Sequence, residues 1–211
     1  MLSKVLKATG MFILVLGIAG SVFAGDSKTI QISAHIESQD GLSITIHNVD
    51  ADTDEWDSTP VSSIDFGTLT YDSNLGIFLP NHYCVIDVGV LSNVSNWTVS
   101  HTVDSSFTNG TDNLDHNVVV TFVKTEQVDT DNDGTPDSTS DTEITQVSYA
   151  NSIQSFTKTQ LSGGWLRIYY GIATGELDQY GNKIEPADTS PITIDKSAGN
   201  YTGSITITLT P

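Results

Sequence analysis

Tyr201-Thr202-Gly203-Ser204-Ile205-Thr206-Ile207-Thr208-Leu209-Thr210 alternates without a break. Tyr201, Gly203, Ile205, Ile207 and Leu209 fall on one side of an extended chain, and Thr202, Ser204, Thr206, Thr208 and Thr210 fall on the other. Successive side chains of a β-strand point to opposite faces, so this stretch buries one face and wets the other. A helical period of 3.6 would scatter the same apolar residues around the helix. Threonine suits the wet face, because β-branching favours extended backbone and the hydroxyl keeps the surface from being sticky.

Working outward, the same period of two recurs along the chain and helical periodicity does not. Thr29–Ile36 sets Ile30, Ile32, Ala34 and Ile36 against Thr29, Gln31, Ser33 and His35, and Leu42–Ile46 repeats the pattern. Further β-rich runs are Ile64–Thr70, Tyr83–Leu91, Trp97–Val103, Val118–Val123, Ile144–Tyr149, Trp165–Ile172 and Ile192–Ile194. Turn chemistry separates them, at Asp40-Gly41, Asn74-Leu75-Gly76, Asn109-Gly110, Ser162-Gly163-Gly164, Tyr180-Gly181-Asn182 and Ala198-Gly199-Asn200. Short alternating strands with this punctuation predict an all-β chain: a single antiparallel β-sandwich of immunoglobulin-like type, with no second domain. Two acidic loops interrupt it, Asp50–Thr59 and the longer insertion Asp129–Glu143. Long loops in compact domains tend to be functional or disordered.

The 211 residues hold 8 Lys+Arg against 26 Asp+Glu, a net charge of −18. Phosphate recognition needs clustered Lys and Arg, so nucleic acid is excluded as a partner, and an anionic membrane surface is disfavoured. At the start, Lys4 and Lys7 precede the apolar run Met11–Gly20, and Val22-Phe23-Ala24 offers a small-residue cleavage site before Gly25. A basic start, a short apolar core and such a site form a secretory signal peptide over residues 1–24, leaving residues 25–211 as the mature β-sandwich. The expected location is therefore extracellular or at the cell surface, by way of the periplasm in a Gram-negative cell. Cys84 is the only cysteine, so no intramolecular disulfide can form. It lies in Tyr83-Cys84-Val85-Ile86-Asp87-Val88 and reads as a buried small hydrophobe. His82, two residues away on the same face of a strand, is the only nearby base that could activate it.

Several stretches together resemble the secreted, pilin-like β-sandwich family that includes the spore coat protein U domain and related chaperone–usher-type fimbrial subunits. They are the alternating strand Ile30–Ile36 behind the signal peptide, Ile64-Asp65-Phe66-Gly67-Thr68-Leu69, the pair Cys84–Val88 and Trp97–Ser100, Leu166-Arg167-Ile168-Tyr169-Tyr170-Gly171, and the ending Ser197–Thr210. Many members carry an early cysteine pair that this chain lacks, and the Asp129–Asp141 insertion is not a family hallmark. The resemblance implies a non-enzymatic structural or adhesive subunit. Such subunits assemble when an alternating strand of one chain completes the sheet of the next, or of other surface subunits. Thr29–Ile36 has the alternation of a donor strand, and equally that of a strand pairing inside its own sheet.

One motif carries chemistry. Asp129-Thr130-Asp131-Asn132-Asp133-Gly134-Thr135-Pro136-Asp137 reads D-x-D-x-D-G-x-x-D. Ca²⁺ takes six to eight oxygens, so it needs carboxylates at alternate positions on a sharply curving loop. Asp129, Asp131 and Asp133 supply them at positions 1, 3 and 5. Gly134 permits the turn, Thr135 offers a carbonyl at position 7, and Asp137 stands at position 9. The pattern resembles the calcium loops of EF-hand, dockerin and thrombospondin type-3 repeats. At position 12 Ser140 replaces the usual glutamate, so Asp141 or Glu143 is the expected substitute. No helical pattern flanks the loop, which predicts a structural Ca²⁺ site and not a helix–loop–helix sensor. Asp50-Ala51-Asp52-Thr53-Asp54-Glu55-Trp56-Asp57 begins alike but has Glu55 where the turn needs glycine, and reads as a solvated acidic loop.

No G-x-S-x-G, H-E-x-x-H, P-loop or G-x-G-x-x-G motif occurs, and His35, His47, His82, His101 and His116 lie singly. The function expected is a secreted, non-enzymatic pilus- or coat-like subunit with a calcium-stiffened loop. The alternative is an extracellular carbohydrate-binding β-sandwich. For that role Trp56, in a polar loop, is the aromatic best placed to stack on a sugar, whereas Trp97 and Trp165 read as core.

Overall fold

The alternation along residues 82–92, 118–128 and 165–172 produces three long strands whose apolar faces meet in one sheet. The computed structural model describes residues 40–211, so the signal peptide and Thr29–Ile36 lie outside the described residues. The strands are β1 (Asp40–Asp50), β2 (Thr70–Asp72), β3 (Ile77–Leu79), β4 (His82–Ser92), β5 (Thr98–Thr108), β6 (Val118–Val128), β7 (Ser138–Ser148), β8 (Gln154–Thr157), β9 (Trp165–Ile172) and β10 (Thr202–Thr210). One 3₁₀ turn spans Tyr149–Asn151, and no α-helix occurs among the described residues. Every strand pairing is antiparallel.

The chain is an all-β sandwich. One sheet has the order β1-β4-β9-β6-β7, the other β10-β5-β8, with a small hairpin of β2 and β3 beside them. Register places Ile46, Ile86, Ile168 and Phe122 in one row across the larger sheet. Val99 of β5 and its partner Phe156 of β8 close on them from the other sheet. Phe122, Phe156, Ile86, Leu166, Ile168 and Tyr170 are almost fully enclosed. Each such side chain contributes about 1.5–3 kcal/mol by leaving water, and truncating Phe122 to alanine would cost about 3–5 kcal/mol. His101 of β5 also enters this core, its ring edge-on to Phe122 at 5.3 Å.

β10 enters its sheet through a bulge at Gly203. A Cβ there would meet the Tyr149 hydroxyl at 3.0 Å and the Phe107 Cα at 3.1 Å, so only glycine lets the strand approach. Tyr149 in turn donates to the carbonyl of Ser105 at 2.9 Å, pinning the 3₁₀ turn to β5.

Four readings of the sequence are corrected. Ile64–Thr70 is a strand only at its last residue. Asp65 Oδ1 accepts the Gly67 N–H at 2.8 Å, Gly67 takes φ +66°, and the chain bends while Phe66 still reaches the core. Ile192–Ile194 is irregular as well, held by Phe78 N–H donating to the Ile192 carbonyl at 2.8 Å. Conversely, Asp40-Gly41 is no turn but the start of β1, and the expected loop 129–143 is shorter, because Ser138–Glu143 already belong to β7.

Candidate functional site

Three features combine chemistry with exposure: the tip of the β6–β7 hairpin, the gap between β1 and β10, and the outer face of the larger sheet.

At the tip, the main chain closes with the Asp137 N–H donating to the Val128 carbonyl at 2.9 Å. Within it, Asp129 accepts the N–H of Asn132 at 2.7 Å and of Gly134 at 2.8 Å. Asn132 and Gly134 reach those positions with φ of +60° and +91°. Asp137 accepts from Thr130, from its N–H at 2.9 Å and its hydroxyl at 2.6 Å. These bonds favour the ionised acids. The Gly134 N–H above all holds Asp129 below the usual carboxylate range, and the Thr130 hydroxyl does the same for Asp137. Carboxylate oxygens of Asp129, Asp131 and Asp137 all lie within 4.8 Å of one another, so this cluster of three can hold a metal ion. Like charges so close repel, and a cation relieves that repulsion.

Not every expected ligand joins them. Asp133 turns an oxygen to the Thr135 N–H at 2.7 Å. Asp141 stands beyond the loop on β7, where it accepts the Thr125 hydroxyl at 2.7 Å and the Tyr169 hydroxyl at 2.5 Å, with Arg167 Nη1 3.6 Å away. Both of its oxygens are engaged by the sheet. Glu143 lies further along β7, its backbone opposite Val123 in the ladder.

The second feature is a groove of about 970 Å³ between the edges of the two sheets, walled by Ile44 and Ile46 on one side and Ile205 and Ile207 on the other, with Phe66 and Phe107 below. Among the described residues β4 is the one strand beside β1, and β5 the one strand beside β10. Ile44, on the core-facing side of β1, is 44% exposed. Toward its C-terminal end the free edge of β1 is covered: Val61 N–H donates to the Ile46 carbonyl at 2.8 Å and Asp57 N–H to the Asn48 carbonyl at 2.9 Å.

The third feature centres on Arg167, the only arginine in the chain. It lies on the outer face of β9 yet is 8% exposed. Asp87 grips it with two oxygens, at 2.7 Å to Nε and 3.1 Å to Nη2. Its guanidinium carbon lies 4.8 Å from the centre of the Trp56 ring and 5.7 Å from that of Trp165. Burial opposes its charge, and the Asp87 carboxylate outweighs that, so its pKa rises. Tyr83 and Tyr169 lie beside this cluster with ring centres 6.2 Å apart, both pushed up to about 12, first by burial and then by bonds to Asp54 and Asp141. Trp56 is thus half-exposed and anchored, and Trp165 sits on the outer face with its Nε1 donating to Asp87 at 2.9 Å. Only Trp97 packs against the core as expected.

Cys84 is buried in the core, and burial pushes its thiol up. Its sulfur lies 3.4 Å from Asn48 Oδ1, while His82 bonds the Asp65 carbonyl. A thiol so placed favours its protonated form and is a weak nucleophile.

Compared with protein-family models, with curated proteins and with solved structures, the chain matches none. No described helix is long and apolar enough to cross a membrane.

Proposed function

We propose that this chain is an exported, non-enzymatic structural or adhesive subunit, pilus- or coat-like, that assembles by strand addition. The groove between β1 and β10 carries this reading, because among the described residues the β10 edge and the Asp40–Thr45 part of the β1 edge are unpaired over an apolar floor. An incoming strand that alternates apolar and polar residues would bury its apolar side against Ile44, Ile205 and Ile207 and pair its backbone with the sheet edges. Thr29–Ile36 of a neighbouring copy has that alternation. Ca²⁺ bound by Asp129, Asp131 and Asp137 would stiffen the β6–β7 tip, since hard oxygen donors on an extracellular loop suit that ion.

The test is light scattering on residues 25–211 over a range of concentrations, beside a variant lacking Lys28–Ile36. Growth in size with concentration, lost in the deletion and blocked by a peptide of sequence Lys28–Glu37, supports assembly. A chain that stays monomeric throughout means that Thr29–Ile36 pairs at home, and the proposal falls.

A second reading, an extracellular glycan-binding module, is supported by the aromatic group Trp56, Tyr83 and Tyr169 on one sheet face beside Asp54 and Asp141. Aromatic rings stack on sugar faces while carboxylates accept sugar hydroxyls. Retention on polysaccharide columns that disappears in Trp56→Ala would favour it over the first.

A further inference from the structure

We infer that Trp56 is a latch that fixes how much of the β1 edge is open to an incoming strand; this rests on the strand-acceptor reading above. After β1 the chain reverses at Asp50–Asp54, where Asp50 Oδ1 accepts the N–H of Asp52 and of Thr53, each at 2.9 Å, and Asp54 takes φ +58°. Residues 56–61 then run back antiparallel along the free edge of β1, with bridges Val49↔Trp56 and Ile46↔Val61. The start of this strap is held besides by the Asp50 N–H donating to the Glu55 carbonyl at 3.0 Å and the Tyr83 hydroxyl donating to Asp54 at 3.1 Å. Residues 51–60 are all exposed, and Pro60 has no N–H to give.

Trp56 is the one large apolar side chain in that stretch, and it reaches over the sheet to Arg167 at 4.8 Å and to the His47 ring at 5.5 Å. His47 Nδ1 lies 3.1 Å from the Asp57 carbonyl, which ties the same segment. A tryptophan face over a guanidinium is the strongest of the side-chain cation–ring pairs, and Arg167 cannot move, because Asp87 holds it bidentately.

Parity sets what the strap leaves open. Ile46 and Asn48 turn their carbonyls to the free edge, so Leu42 and Ile44, four and two residues earlier than Ile46, face the same way. With the strap in place, a strand pairs with Asp40–Thr45 and stops against Val61. With the strap released, the pairing edge runs on to Asp50, close to twice as far. Trp56 therefore selects for a short donor strand and sets where its end stops.

Amide hydrogen exchange on the whole chain tests this, in wild type, Trp56→Ala and Trp56→Phe, first dilute and then at assembling concentration. Dilute Trp56→Ala should exchange at the Asp57 and Val61 amides roughly tenfold faster than wild type, with Trp56→Phe between them and the Ile86 and Ile168 amides unchanged. On concentrating, wild type should gain protection at Leu42 and Ile44, and in Trp56→Ala the protection should extend to Ile46 and Asn48. Unchanged exchange at Asp57 and Val61 overturns the latch, and so does protection that ends at Thr45 in both proteins. If the strap loosens as expected but neither protein gains protection at Leu42 and Ile44, the strand-acceptor reading itself fails, and the length rule with it.

Discussion

Two loops that each carry four aspartates, Asp50–Asp57 and Asp129–Asp137, end up doing opposite things with their carboxylates. In the first, Asp50, Asp54 and Asp57 are engaged separately, and among the described residues no group of three acids converges there. Asp50 accepts from Asp52 and Thr53, Asp54 from the Tyr83 hydroxyl at 3.1 Å, and Asp57 from the Thr59 N–H at 3.0 Å. In the second, Gly134 at φ +91° turns the chain so that its N–H reaches Asp129, and Asp131 and Asp137 come alongside. Alternating acids alone do not make a cation site. The backbone turn at the sixth position decides whether they converge, and an anchor such as Trp56 pulls a loop down onto the sheet instead.

The largest expected effect tests the anchor. Arg167→Ala leaves Asp87 without its bidentate partner and removes the cation from beneath Trp56 and Trp165, so unfolding should become easier by about 3 kcal/mol, read from the urea midpoint. The hairpin tip should keep its cation response in this variant, because Asp141, the one acid that Arg167 shares with that hairpin, is engaged by the sheet. A lost response would join the two regions that the structure separates.

Ca²⁺ should distinguish the loops directly. An extracellular-type site with Kd of ~10⁻⁴–10⁻³ M stabilises by about 1.4–2.7 kcal/mol at about 10 mM Ca²⁺, since the ion binds only the folded state. Differential scanning calorimetry should show a higher Tm that vanishes in Asp129→Ala plus Asp131→Ala. It should persist in Asp52→Ala plus Asp54→Ala and in Asp141→Ala. Loss in the last variant would restore Asp141 to the ligand set.

How far the sequence anticipated this follows from where burial falls. Trp165–Ile172 and Tyr201–Thr210 were legible because one face of each meets the core, which is what alternation records. Ile64–Thr70 misled because Phe66 is buried and Ile64 and Leu69 partly buried, one by one, from a bent chain, with Asp65 capping Gly67. Ser138–Glu143 carried no signal, because that half of β7 is exposed on both faces and pairs with β6 through the backbone ladder, with Asp141 adding one bond to Thr125. The acidic tip was readable from spacing, yet the use of Asp141 was not. Its partners Thr125 and Tyr169 lie 16 and 28 residues away, and no local pattern marks such pairs. Trp56 stood out as an aromatic in a polar loop, but Arg167 reaches it only through the pairing of β1, β4 and β9.

A smaller effect should come from exchanging the turn chemistry. Gly134→Ala meets no atom within 4 Å, so its cost is purely that of a left-handed backbone, about 1 kcal/mol, and it should weaken Ca²⁺ binding by isothermal titration calorimetry. Glu55→Gly supplies the first loop with the missing glycine, but Asp50 and Trp56 still hold its acids apart, so no Ca²⁺ uptake should appear. Uptake there would mean that glycine alone decides convergence.

The smallest effect separates both loops from the core by pH. His101 is fully buried, with Nδ1 donating to the Ser152 carbonyl and Nε2 accepting from the Tyr170 hydroxyl, each at 2.5 Å. Burial lowers its pKa, the Ser152 bond opposing this only in part, so the folded chain holds it neutral where the unfolded chain takes up a proton. Stability should therefore decline as pH falls through about 6.5, the ordinary histidine value, and level off once the folded-state pKa is passed. Asp50, Asp129 and Asp137 are depressed instead, by hydrogen bonds from Thr53, Gly134 and Thr130, so what they contribute is lost only as pH falls below 3.8. A Tm profile with a first step near pH 6 and a second near the carboxylate range, only the second of which Ca²⁺ shifts, places the histidine in the core and the cation at the tip. A first step that moves with Ca²⁺ would tie His101 to the loop and break the separation.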